Sequence, residues 1–267
     1  MKNETINDRD ILIYLSLKHN GDWKAIYDDI VQHASCDKEE VLSMVSKVKA
    51  KTLTMLDKEY PEYLKYVLRP PFVLYYYGDI SLISDYSKNI SIVGSRNYSS
   101  YGEVITREIA RTVCKEFNIV SGMAAGIDSI AHDETIRRGG RTIAILCTGI
   151  DKCYPATNLS LYEELKSHHL VMSEYPGKSV PPKEDIPFRN RLIAAMSLLT
   201  VVTEAHTRSG TSITTGFALE MGKDVCCVPY PYTADSLCNK LIATGASLVQ
   251  SGKDVLEEAS FARIKKS

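Results

Sequence analysis

Four consecutive residues, Phe188, Arg189, Asn190 and Arg191, place an aromatic ring, two guanidiniums and an amide directly before an apolar segment. On a single-stranded nucleic acid, bases stack on aromatic rings and phosphates pair with the planar fork of arginine. The alternative is structural, with Phe188 in the core and the arginines covering the start of a helix. Positive charge opposes the macrodipole at a helix N-terminus, which favours a bound anion. The segment alone leaves both interpretations open.

Three further polar segments containing glycine each follow a short apolar run. They are Gly94-Ser95-Arg96 with Ser99 and Tyr101, Ser121 to Asp128 with Gly122 and Gly126, and Arg208 to Thr215 with Ser209, Gly210 and Thr211. Hydroxyls and free backbone amides at helix N-termini form anion sites. Together with the Phe188 segment, these motifs predict a site for a polyanion or a nucleotide.

The elements that must position these segments are short apolar runs separated by helical stretches. The runs lie at 72–77, 90–93, 118–120, 142–147, 169–172, 199–203 and 224–228. Strands that alternate with helices predict βαβ units and an α/β fold, a doubly wound parallel sheet covered on both faces. Ligands of such sheets bind beyond the carboxyl ends of the strands, so the polar segments should meet at one edge.

The first 58 residues differ from the rest, because their apolar residues recur at helical spacing, as in Ile11, Leu12 and Leu15. We therefore predict a small helical domain over 1–58, an α/β domain over 59–260 and a frayed tail over 261–267.

Composition limits the function classes. The net charge of -1 gives no global attraction to polyanions, so any such site depends on local arginines and lysines. The seven cysteines form no C-x-x-C pair, and no apolar run has the length of a signal peptide or a membrane span. We expect a cytoplasmic protein without zinc.

Enzyme and cofactor motifs are incomplete. The loop after the run at 90–93 lacks the G-x-G-x-x-G pattern of a dinucleotide site, and a Walker loop is absent. Asp128 and His132 could share a helix face, but two ligands are too few for a metal, and Asp128 can equally cap a helix. We expect no cofactor and no catalysis.

In their order along the chain, these motifs resemble the DNA-processing protein A family (DprA, also called Smf). The matching segments are Ile92 to Arg96, Ser121 to Asp128, Gly140 to Ala144, Tyr154-Pro155, Ser173-Glu174, Phe188 to Ala194, Glu204-Ala205, Ser209 to Thr214 and Asn239 to Ala246. The resemblance covers about residues 60–255. The helical N-terminus resembles the sterile-α-motif-like (SAM-like) domain of the family only in being short and helical.

The resemblance implies an extended Rossmann-like domain that binds single-stranded DNA without catalysis, as a homodimer. It further implies that the protein protects incoming strands and loads the RecA recombinase during natural transformation. The DNA-binding residues that the resemblance implies are Arg96, Phe188, Arg189, Asn190, Arg191, Ser209, Gly210 and Thr211. From the strand-end segments themselves we add Gly94, Ser95, Ser99, Tyr101, Gly122 and Gly126. The apolar residues Leu237, Leu241, Ile242 and Leu248 cover either the core or a dimer interface.

Two other functions remain possible on the same sheet. A nucleotide phosphoribohydrolase of the lysine-decarboxylase-like group would need a glutamate where Thr214 stands, and it would need a preceding glycine pair. A nucleotide-sensing regulatory module would bind a mononucleotide in place of DNA.

Overall fold

The computed structural model describes residues 6–265, which form ten α-helices and one nine-stranded sheet. The helices are α1 (Asp8–Lys18), α2 (Trp23–Val31), α3 (Lys38–Val45), α4 (Ser100–Val113), α5 (Ile127–Arg137), α6 (Leu159–His168), α7 (Asn190–Ala195), α8 (Thr211–Glu220), α9 (Leu237–Ala243) and α10 (Gly252–Ile264). The strands are β1 (Lys51–Thr54), β2 (Val73–Gly78), β3 (Asn89–Gly94), β4 (Asn118–Ser121), β5 (Thr142–Ile145), β6 (Leu170–Ser173), β7 (Thr200–Glu204), β8 (Val225–Cys227) and β9 (Ser247–Leu248).

The strand order is β1-β2-β6-β5-β4-β3-β7-β8-β9. The strands from β6 to β9 are parallel, whereas β1 and β2 run antiparallel at one edge. The predicted doubly wound, Rossmann-like α/β sheet is therefore confirmed, with two antiparallel strands added. Because β3, β4 and β7 are neighbours, the loops after them open at the same edge.

The strands are apolar on both sides because helices cover both faces of the sheet. Along β3, Ile92 packs in one core cluster and Val93 in the other. The same alternation places Val201 and Val202 of β7 on opposite faces. These central strands are a rigid support for the loops that follow them.

The N-terminal helices form the predicted small bundle. Each begins with a side chain that accepts a hydrogen bond from the first turn, and the three caps are Asn7, Asp22 and Asp37. The expectation of helix up to residue 58 is wrong for 51–54, because Leu53 and Thr54 are buried as part of β1. The segment Lys51 to Thr54 contains a single apolar residue, Leu53, so the sequence shows no strand period there. The domain boundary at 58 stays a prediction.

The C-terminal segment is more ordered than a frayed tail. Helix α10 continues to Ile264, and Ala262 is fully buried. Residues 266 and 267 lie outside the described part of the chain. Among the described helices, none combines the length and apolar character that crossing a membrane requires.

Candidate functional site

A cleft of about 440 Å³ opens at the carboxyl ends of the parallel strands. We call it the strand-end cleft, and its walls are Val93, Gly94, Ser95, Arg96, Asn97, Ala124, Asp128, Arg189, Asn190, Ile193, Ser209, Gly210, Thr211 and Thr214. All four polar segments singled out in the sequence contribute to these walls. The strand ends therefore converge at one edge of the sheet, as the sequence predicted.

The loops after β3 and β4 are packed tightly against each other. The amide of Ile127 donates to the Ser95 carbonyl at 3.1 Å, and the amide of Ser95 donates to the Glu204 carbonyl at 2.7 Å. Gly126 has a φ of 85°, and a Cβ there would overlap the carbonyl oxygens of Ser95 and Arg96. Gly126 therefore holds the loop that leaves the Arg96 side chain exposed at the cleft.

Arg189 forms a buried wall of the cleft and is only 8% exposed. Its Nη1 donates to the carbonyl of Gly122 at 2.8 Å and to the carbonyl of Ile145. Burial lowers the pKa of its guanidinium; the nearby Cys147 and Asp128 oppose this decrease, and the charge of Arg96 adds to it. Within residues 6–265, its Nε has no hydrogen-bond partner. The result is a guanidinium held in place beside the cleft, with a buried Nε–H that is unpaired.

Asp128 organises the loop after β4. Its carboxylate accepts from the amides of Gly122, at 3.1 Å, and Ala124, at 3.4 Å. Burial raises the pKa of this carboxyl group, while Arg189 opposes the rise. The interpretation of Asp128 as a helix cap is wrong, because Gly126 is the N-cap residue of α5.

Metal binding at Asp128 and His132 finds no support in the geometry. The Nδ1 of His132 is hydrogen-bonded to the Thr142 hydroxyl at 2.6 Å. Across residues 6–265, no group of three or more potential metal ligands comes together.

The loop before α8 contributes hydroxyls and backbone to the opposite wall. Asn190 donates from Nδ2 to the Gly210 carbonyl at 3.3 Å, which ties this loop to α7. The Ser209 hydroxyl is buried, and the described part of the chain provides it with no partner. Ser209 and Arg189 thus each carry a buried polar atom without a partner, and both residues line the cleft.

The start of α4 differs from our expectation of an open anion site. The carboxylate of Glu204 accepts from the Ser99 amide at 3.1 and 3.0 Å and from its hydroxyl at 2.9 Å. Ser99 also caps the helix by accepting from the Gly102 amide. An internal carboxylate therefore already satisfies this N-terminus, which argues against Ser99 as an anion contact. Tyr101 is 47% exposed and packs edge-on against Tyr230.

Arg191 is buried, with 1% of its surface exposed, and it lies outside the cleft. Its guanidinium forms two parallel bonds to the Glu174 carboxylate, of 2.7 and 2.5 Å. It also donates to the carbonyls of Leu68, at 2.7 Å, and Arg69, at 2.8 Å. The expected phosphate contact of Arg191 does not fit this placement, because its guanidinium is already engaged by protein acceptors.

Phe188 is half-buried and also lies outside the strand-end cleft. Its ring meets the edge of Phe217, with centroids 6.0 Å apart. The guanidiniums of Arg191 and Arg69 lie 4.2 and 5.2 Å from its centroid. The ring packs against Phe217 on one side and is partly exposed beneath Arg69, so stacking of a base on it stays a prediction. Sequence reasoning missed Arg69, which stood out only as the residue before two prolines.

The expected dimer residues lie near the β8–β9 end of the sheet. Leu237 is buried, Leu241 and Ile242 are partly buried against the core, and Leu248 is 50% exposed. Most of this apolar surface therefore serves the core, and Leu248 leaves an apolar side chain on the surface.

Comparison with known proteins gives one consistent result. A family model described as DNA recombination-mediator protein A matches residues 51–260. The curated DNA processing protein DprA of Streptococcus pneumoniae is 35% identical over 275 residues, spanning 98% of this chain and 96% of that protein. The DprA of Bacillus subtilis is 37% identical over 212 residues, which is 78% of this chain and 70% of that protein.

Two solved structures share the fold. The X-ray structure of DprA from S. pneumoniae superimposes with a TM-score of 0.80 at 32% identity, covering 96% of this chain and 99% of that one. A DprA from Helicobacter pylori, solved to explain its single-stranded DNA binding mode, gives a TM-score of 0.71 at 27% identity. That match covers 80% of this chain and 96% of the other.

Proposed function

This chain belongs to the family of DNA recombination-mediator protein A, as its motifs predicted, and we propose that it binds single-stranded DNA in the strand-end cleft. Binding would be tolerant of sequence, because the cleft offers cations, hydroxyls and backbone groups that suit phosphates. The similarity to the H. pylori protein supports the choice of a single strand as ligand.

The observation that carries this proposal is that two arginines, Arg96 and Arg189, line the same cleft. Arg96 is exposed and free to follow a phosphate, whereas Arg189 is held by two backbone carbonyls. A bound phosphate would relieve the repulsion between the two guanidiniums, and the unpaired Nε of Arg189 and hydroxyl of Ser209 belong to side chains of the same cleft. The chain has a net charge of -1, so DNA is attracted by this local concentration of arginines and not by the overall charge of the protein.

We assign the remaining predicted residues to three roles. Contact residues line the cleft, and they are Gly94, Ser95, Arg96, Arg189, Asn190, Ser209, Gly210 and Thr211. Positioning residues hold these contacts in place, and they are Ser99, Gly122, Gly126 and Arg191. Phe188 and Tyr101 are stacking residues at the margin, where partly exposed rings can meet a base.

In this proposal the protein has no catalytic step. It protects a strand that enters the cell and hands it to a RecA recombinase. The seven cysteines are free in the described residues, which supports a reducing compartment such as the cytoplasm.

The proposed dimer uses the surface near β9. Leu248 exposes an apolar side chain there, beside the partly buried Leu241 and Ile242. Leu248→Asp should convert a dimer to a monomer in sedimentation at micromolar concentration without loss of fold. A parent chain that sediments only as a monomer would contradict the dimer.

The phosphoribohydrolase alternative is not favoured. Thr214 lines the cleft where that reaction would need a glutamate, and a hydroxyl cannot replace the carboxylate in acid–base chemistry on a ribose. Turnover of AMP-type nucleotides by the purified protein would revive this alternative.

The experiment that tests the proposed function is a gel shift with matched single- and double-stranded oligonucleotides. We expect a shift with oligo-dT and a much weaker one with the duplex. Equal binding of both, or binding of a mononucleotide alone, would contradict the proposal.

A further inference from the structure

A second cleft, of about 480 Å³, lies where the N-terminal helices meet the sheet. We call it the lysine groove, because Lys47, Lys49, Lys166 and Lys178 all line it. The first two follow α3, whereas the other two come from α6 and from the loop after β6. Residues distant in sequence therefore bring four lysines to one cleft.

The charge of the lysine groove is poorly compensated. Lys166 is 3.7 Å from Glu163 and lies over the ring of Tyr77, 4.5 Å from its centroid. Within residues 6–265, Lys47, Lys49 and Lys178 form no ion pair with a carboxylate. Asp151 is the acidic residue of the lining, and it accepts a hydrogen bond from the Tyr77 hydroxyl at 2.6 Å. Because the net charge of the chain is -1, attraction of a polyanion depends on local clusters of positive charge such as these lysines.

A pocket at the domain junction adjoins both the lysine groove and the strand-end cleft. Glu174 and Tyr175 line this junction pocket, and the next three residues, 176–178, line the lysine groove. Phe188 and Arg191 also line the junction pocket, and they flank the cleft residues Arg189 and Asn190 along the chain. The junction pocket therefore shares a stretch of backbone with each of the other two cavities.

Arg69 stands in the junction pocket between the two charged regions. Its side chain is exposed, and its guanidinium lies 5.2 Å from the centroid of the Phe188 ring. A guanidinium supported on one side by a ring can receive a base on its other face.

We infer that the lysine groove binds the phosphate backbone of the same DNA strand after that strand leaves the strand-end cleft. This inference rests on the proposed function. The N-terminal helices would then be part of the DNA-binding surface, with Arg69 guiding the strand across the domain junction. Short strands would occupy the cleft alone, and longer strands would reach the lysines as well.

The test compares oligo-dT of about 6 and about 20 nucleotides, one near the lower end and one beyond the upper end of the ~4–16 nucleotides that common single-strand sites cover. Fluorescence anisotropy is recorded at several salt concentrations for the parent and for a K47A/K49A/K178A variant. We expect the variant to bind the short strand like the parent and the long strand roughly 10-fold more weakly. Its salt slope with the long strand should be shallower by about 2, because each phosphate contact contributes about -0.7.

A K38A/K88A/K115A variant is the matched control, because it removes the same charge from exposed lysines that do not line the lysine groove. It should bind both strands like the parent. Unfolding curves check that all variants keep the fold. The single variant K178A should change the salt slope about one third as much as the triple variant does.

The outcomes separate the two proposals. If the parent binds oligo-dT but the groove variant matches it at both lengths, the lysine groove plays no part. If the groove variant weakens both lengths equally, or if the control weakens the long strand as much, the extended path is wrong. If the parent binds neither strand while folded, the proposed function itself fails.

Discussion

Arg189 fills the space that a side chain on Gly122 would need, and its Nη1 donates to the Gly122 carbonyl at 2.8 Å. The contact joins the loop after β4 to the segment before α7, 67 residues later in the chain. A fixed guanidinium at the cleft thus depends on the absence of one Cβ atom.

Gly122→Ala should displace Arg189 and weaken oligo-dT binding by about as much as Arg189→Ala does. In a double-mutant cycle, adding Gly122→Ala to Arg189→Ala should cost little further affinity, because both changes remove the same contact. Anisotropy titrations of the four proteins measure the coupling. Additive losses would show that Gly122 acts independently of Arg189.

Arg96→Ala and Arg191→Ala should have opposite consequences. Removal of Arg191 leaves the Glu174 carboxylate without its partner, so we expect the free energy of unfolding to fall by about 3–5 kcal/mol. Arg96 is exposed, so its removal should weaken DNA binding and leave the melting temperature nearly unchanged. Urea unfolding and anisotropy on both variants give the comparison. An Arg191→Ala protein of parental stability would contradict the positioning role.

Phe188→Ala tests whether the ring stacks on a base. We expect a binding loss of about 1–3 kcal/mol per stacked base. Since the ring is only half-buried, the loss of stability should stay below the ~3–5 kcal/mol typical of a core phenylalanine. Phe217→Ala is the control, because Phe217 touches the ring edge but, unlike Phe188, does not line the junction pocket. If Phe188→Ala destabilises the fold strongly and yet binds oligo-dT normally, Phe188 is a packing residue.

The stability of the protein should decrease in mild acid through His132. Burial lowers the pKa of its imidazole from 6.5 to about 3, so the folded protein takes up this proton only at much lower pH than the unfolded chain. The unfolding free energy should therefore fall as the pH drops from about 6.5 toward 3, by up to ~1.4 kcal/mol per pH unit for one proton.

His132→Gln removes this titration and can still hydrogen-bond to Thr142. Urea unfolding between neutral and acidic pH should show a smaller slope for the variant than for the parent. Identical slopes for the variant and the parent would mean that the pKa of His132 is the same in the folded and unfolded states.

Much of the site could be predicted from sequence because it depends on strand ends. The polar segments beginning at Gly94, Ser121 and Arg208 each follow a buried strand, and parallel strands bring such segments to one edge whatever their details. The convergence of Arg96, Arg189 and Ser209 could therefore be predicted from the strand pattern and the order of the motifs alone.

Side-chain partners across long separations could not be predicted in the same way. Glu204 reaches the start of α4 from 105 residues away, and Glu174 pairs with Arg191 from another element. Both glutamates belong to segments that carry the family resemblance. The position of a glutamate in such a segment does not indicate which group its carboxylate contacts in the fold. Burial of Arg191 follows from that pairing, so a pattern of charge and aromaticity alone could not distinguish it from Arg189.

Hydrogen exchange with and without oligo-dT locates the strand on the protein and so tests whether the strand-end cleft is the DNA site. We expect slower exchange of the amides in 94–99 and 207–212, which surround the strand-end cleft, at saturating oligo-dT. The segment 115–118 at the opposite edge of the sheet should be unaffected. Binding of oligo-dT that leaves exchange in 94–99 and 207–212 unchanged would contradict the assignment of the cleft as the DNA site.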